Sequence, residues 1–116
     1  MNGKNGRIIL ASITLTIAPT AALPASGGAQ LNAWCGARQQ NTSNARRDYR
    51  HLMGYVQGAT DAMIEHHEAC PPDSATVGHG VDLVCQHVAS NRQRWTSSKY
   101  RLTKDALAKA FPCPKE

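Results

Sequence analysis

The chain has 116 residues, 41% of them hydrophobic, with a formal net charge of +5 and four cysteines. That length holds one domain, near the size at which a single core leaves a margin of only a few kcal/mol and covalent staples become useful. The charge is too mild to argue for a nucleic acid or a membrane surface, and the clusters Arg46, Arg47, Arg50 and Arg92, Arg94 read as solvated helix faces.

The chain opens with "MNGKNGR", short and basic, and continues with the uncharged, apolar "IILASITLTIAPTAALPA". A basic start, an apolar stretch and small residues beyond it are the order of a secretory signal peptide. Cleavage is expected after Ala29, with Ala25 as the second choice, so residues 1–29 are the leader and 30–116 the folded domain. Pro19 and Pro24 interrupt the apolar run, which falls below the ~18 residues a spanning helix needs. Without Lys4 and Arg7 the charge drops to +3.

"AQLNAWCGARQQ" predicts a short helix that buries Leu31, Trp34 and Cys35, and "NTSN" supplies capping residues after it. The longest helix is expected over about 45–69. There Tyr49, Leu52, Met53, Val56, Ala59, Met63 and Ile64 recur at steps of three and four. "CPPD" ends it, because Pro71 disfavours helical backbone at Cys70. Thr76 is the expected cap of a third helix burying Val77, Val81, Val84, Cys85 and Val88. "NRQRWTSS" reads as a loop with an outward tryptophan. Ser97 or Ser98 then caps a fourth helix with Tyr100, Leu102, Ala106, Leu107 and Ala110 turned inward, and "FPCP" stops it. Strand signals are poor, so the fold expected is all-α: a small, disulfide-stapled antiparallel bundle of about four helices.

Gly54 and Gly58 lie a turn apart on the long helix, where each costs about 1 kcal/mol against alanine. The expected reason is close packing of that face, with Tyr55, against a neighbouring helix or a second copy. All four cysteines, Cys35, Cys70, Cys85 and Cys113, follow the leader, and an even count in a short exported chain implies two disulfides with three possible pairings. Catalytic parts are hard to find. "EHHEAC" places His66 four residues before Cys70, but the zinc-protease spacing would need a histidine where Pro71 stands. A paired cysteine has no thiolate for His79 or His87 to activate. Asp61 and Glu65 read as helix surface. No catalytic, metal-binding or cofactor-binding residue is assigned and no cofactor is expected, so the chain reads as a binding protein rather than an enzyme.

"WCG", "GYVQGATDAM", "CPPDSATVGHGVDLV" and "DALAKAFPCP", in that order, resemble the Rap/Tai type immunity proteins. The likeness spans about residues 34–114 and rests on Cys35; Gly54, Tyr55 and Gly58; Cys70 and Pro72; and Ala106, Leu107, Phe111, Pro112 and Cys113. Where the family often has a cysteine before its Gly-Tyr, this chain has His51-Leu52-Met53, and it carries Cys85 in the third helix instead. "SNRQRWTSSKY" also departs from the family, which tends to have a proline-containing link there. Against that background Cys70 is expected to pair with Cys113 and Cys35 with Cys85, the other pairings staying open. The resemblance implies a periplasmic protein, often a homodimer, that binds a peptidoglycan amidase effector of the type VI secretion system and occludes its active-site cleft. The segments 71–80, with Asp73 and His79, and 91–98, with Arg92, Arg94 and Trp95, are the contact loops it suggests. The alternative is a small periplasmic helical binding or chaperone-like protein with no toxin partner.

Overall fold

The computed structural model of the protein describes residues 11–14 and 26–115. Most of the expected leader falls outside the described residues. Among the described residues four helices make up the domain: α1 (Gly27–Gly36), α2 (Ser43–Glu65), α3 (Val77–Ser90) and α4 (Lys99–Ala110). Single 3-10 turns follow α1 (Ala37–Gln39) and α3 (Arg92–Arg94). No strand occurs among the described residues, and the fold is an all-α bundle.

Each helix starts on a side-chain cap. Ser26 Oγ, Thr42 Oγ1, Thr76 Oγ1 and Ser98 Oγ accept from the backbone N–H groups of Ala29, Ala45, His79 and Arg101. Each cap satisfies a donor that the first turn cannot pair, worth typically ~1 kcal/mol. The long helix stops at Glu65, four residues short of its expected end. His67 there takes a left-handed φ of 55°. Glu68 N–H then bonds Met63 O at 2.8 Å and His67 N–H bonds Ile64 O at 3.2 Å, a reversal that glycine usually occupies.

Leu31, Leu52, Val56, Met63, Val81, Val84, Val88, Leu102 and Leu107 form the core, all but closed to solvent. Every helix packs against the other three. Thr103 is fully buried although its residue type pointed outward. In the other direction, Ile64 and Tyr100, expected inside, are 47% and 36% exposed. Ile64 lies in the last turn of α2, beside the reversal.

Two disulfides lock the bundle. Cys35–Cys85 joins α1 to α3, and Cys70–Cys113 joins the segment after α2 to the C-terminal tail. No cysteine among the described residues is free. The Cys70 N–H also bonds Phe111 O at 2.8 Å, so the second bridge closes beside a backbone contact.

The Gly54–Gly58 face corrects the expectation of close helix packing within the chain. A Cβ built on either glycine meets nothing within 4 Å, and both residues are exposed. The glycines that permit close approach stand elsewhere. A Cβ on Gly28 would lie 2.4 Å from Trp95 Cα, and one on Gly27 would lie 2.5 Å from Lys99 N. Tyr55, between the two exposed glycines in sequence, does pack: its ring lies 6.2 Å from that of Trp34. Burial raises its hydroxyl pKa above the usual value near 10.

Candidate functional site

The loop from Asn91 to Ser98 is a clamp on α1. Trp95 Nε1–H donates to Val88 O at 2.8 Å, and the Gly28 N–H donates to Trp95 O at 2.9 Å. Arg92 lies 5.2 Å over the indole, and Arg94 pairs with Asp105 at 2.9 Å. All three side chains expected to face a partner are thus engaged within the chain, and Trp95 is partly buried rather than outward. Tryptophan combines a large apolar ring with one donor, and both are satisfied here. Lys99 extends the clamp. It donates to Gln30 Oε1 and stands 5.0 Å from the Trp34 ring and 5.7 Å from that of Tyr55.

The other expected segment has a different character. Asp73 and His79 are exposed, and His79 meets the Phe111 ring edge-on at 5.7 Å. Below them runs a groove of about 260 Å³. Val56, Thr60, Asp61 and Ile64 of α2 form one wall, and Pro71, Pro72, Asp73 and Ala75 form another. Val77 and Gly80 of α3 and Leu107 and Phe111 at the end of α4 complete it. Gly80 is buried, with space for a Cβ only at contact distance from Val56, so the floor carries no side chain there. The turn is held by Ala75 N–H on Pro72 O at 2.9 Å and by the adjoining Cys70–Cys113 bridge.

A wider and more open depression of about 530 Å³, sharing no lining residue with the groove, is bordered by Arg38, Arg46, Tyr49 and Arg50. Arg38 is drawn to Asp82, and Arg46 donates to Asn41 Oδ1 at 3.1 Å. Beside α4, His87 accepts from the Asn91 amide at Nδ1 (3.3 Å), while its Nε2 is buried without a partner. Burial is the main cause that holds its pKa below the usual 6.5; Arg94 and Lys109 push the same way and Asp105 opposes them. No cluster of three or more metal-ligating side chains occurs among the described residues. What the surface offers is shape and charge: an apolar groove with a carboxylate rim on a braced scaffold.

The family model for Rap1a immunity proteins matches residues 27–113. The chain belongs to the Rap1a immunity proteins. The match begins at the first residue of α1 and ends at Cys113, so it takes in all four helices and both bridges. No curated protein and no solved structure gives a significant match. As a member of the Rap1a immunity proteins, the chain is an immunity protein, of the kind that guards against a toxin. The pairing of Cys35 with Cys85 and of Cys70 with Cys113, which the resemblance pointed to, is the one in the structure. No helix among the described residues is long and apolar enough to cross a membrane.

Sequence reasoning missed Asp61, Ile64, Pro71 and Phe111 as members of one groove. "CPPD" marked the turn, but Ile64 fits the core periodicity of α2, and Asp61 resembles any surface carboxylate until α4 brings Phe111 opposite.

Proposed function

We propose that this protein acts in the periplasm, binding a cognate peptidoglycan amidase effector of a type VI secretion system and blocking its active-site cleft by occupation, without chemistry of its own. The match to Rap1a immunity proteins over residues 27–113 carries the reading. The two cross-links support it, because a braced surface loses little conformational entropy on binding. We place the contact at the Pro71–Gly80 segment, with Asp73 and His79, rather than at Arg92, Arg94 and Trp95, whose side chains already hold α1. A second copy seated on the bare Gly54–Gly58 face would give the homodimer.

Export through the N-terminal leader belongs to the same proposal, with one change of boundary. Cleavage after Ala29 would remove the Ser26 cap and Gly28, whose N–H holds Trp95 O. Cleavage after Ala25 keeps both, and we assign the cut there. Amino-terminal sequencing of the exported protein reads Ser26 as the first residue; a start at Gln30 refutes the assignment.

The test of function is protection. Cells that receive the amidase in the periplasm survive when they express the full chain and lyse when the leader is deleted. In vitro, the oxidised protein co-elutes with the amidase and stops cell-wall cleavage. Absence of any complex with candidate amidases refutes the reading.

A further inference from the structure

The groove between α2, the proline turn and the end of α4 has a chemistry that says what fits it. Ligand pockets for small molecules run about 300–1,000 Å³. At about 260 Å³, this one falls just below that range and suits one or two side chains of a protein better than a cofactor. Its lining is apolar where it is deep, where the buried side chains of Val56 and Leu107 lie, and Ile64 stands 47% exposed at its edge.

The charges are distributed unevenly. Among the described residues, Asp48, Glu68, Asp82 and Asp105 each have a Lys or Arg nitrogen within 4 Å. Asp61 and Asp73 form no such pair, and both line the groove, one from α2 and one from the turn. Glu65, one helical turn beyond Asp61, is also without an ion pair. In a chain of net charge +5, two of the acids left without partners, Asp61 and Asp73, thus line one apolar trough. An acidic or neutral partner would gain nothing from them, whereas a cation next to an apolar side chain satisfies both features at once.

We propose that this groove seats a basic–apolar element of the protein partner, an aliphatic or aromatic side chain entering the trough and an adjacent Lys or Arg lying between Asp61 and Asp73. The identification of that partner as the toxin rests on the function proposed above; the groove's preference does not. The walls are set before binding by the Cys70–Cys113 bridge, the Cys70–Phe111 backbone bond and two consecutive prolines. The partner's cation is therefore met by carboxylates already in place, which favours fast, salt-sensitive association.

The test has two arms. In the first, the oxidised full domain is titrated with N-acetyl-Leu-Arg-amide and with N-acetyl-Leu-Glu-amide, followed by backbone amide NMR. The basic peptide shifts the amides of Ile64, Ala75, Val77 and Phe111, and the acidic one does so far more weakly. The double substitution Asp61→Asn and Asp73→Asn weakens the basic peptide about tenfold, as expected for two rim charges, without moving the melting temperature. Equal binding of the two peptides, shifts centred on Arg38, Arg46 and Arg50, or binding indifferent to the double substitution each overturns the proposal. So does self-association that Ile64→Arg abolishes, which would make a second copy the occupant.

The second arm uses the amidase. The double substitution weakens the complex about tenfold and steepens no other property; a complex that ignores it overturns the groove while leaving the immunity reading standing. If no amidase binds at all, that reading falls and the peptide arm still decides the groove.

Discussion

Alanine at Gly54 and Gly58 makes the sharpest test of the fold as described. Both positions lie inside α2, both are exposed, and an added methyl at either finds no atom within 4 Å beyond the adjacent backbone of its own helix. A glycine in a helix interior is about 0.5–1 kcal/mol worse than alanine, chiefly because it holds more freedom in the unfolded chain. The pair Gly54→Ala and Gly58→Ala should therefore stabilise the domain by about 1–2 kcal/mol. For a domain of this size 1 kcal/mol moves the melting temperature by about 4–8 °C. Thermal melts by far-UV circular dichroism, run at low and high protein concentration, read the effect. A rise in dilute solution is the expected result. Even Gly58→Leu should melt close to the wild type, for the same reason. A fall at both concentrations would refute the open face outright. A rise when dilute and a fall when concentrated would show a second copy lying on the bare backbone, which is the dimer proposed above.

Trp95→Ala should destabilise by roughly 3 kcal/mol, the lower end for a large aromatic because the ring is only partly buried; chemical denaturation checks it, and an unchanged midpoint would remove the clamp. Gly28→Ala should cost about 1–3 kcal/mol, since its methyl would meet the Trp95 backbone and not a flexible side-chain end. Replacing Cys35 and Cys85 by alanine should cost about 4 kcal/mol on the loop-entropy model for a span of 50 residues, read as a lower urea midpoint. For His87, the folded pKa lies below the unfolded value near 6.5, so the unfolded state takes up the proton first. The resulting stability is present above about pH 6.5 and declines as pH falls through that value toward the folded pKa; His87→Gln should flatten this part of the pH–stability curve.

The core of the bundle was legible because it is local. Steps of three and four on α2, α3 and α4 name most of the buried residues, and Thr76 and Ser98 stand where caps belong. Distant contacts were less readable. Gly27 and Gly28 resemble the small-residue tail of a leader, and only the distant segment from Trp95 to Lys99 reveals why they lack side chains: the backbone of Ser97–Lys99 lies against Gly27 and Trp95 against Gly28. Gly54 and Gly58 misled in the opposite sense, since a glycine pair in a helix suggests a close neighbour that this chain does not supply. Trp95 sits among arginines and polar residues, which concealed an indole N–H directed at Val88 O. The groove was invisible for a related reason: its walls come from four segments, and none of them is unusual alone.

The two cross-links overlap along the chain, Cys35 to Cys85 and Cys70 to Cys113, so their loops share the stretch between Cys70 and Cys85. Any single peptide bond broken between Cys35 and Cys113 is therefore bridged by at least one sulfur pair, and a cut in the exposed turn around Asp73 is bridged by both. A protease that nicks this protein once in that interval cannot release a fragment, and the two halves stay tethered in place to keep or regain their shape.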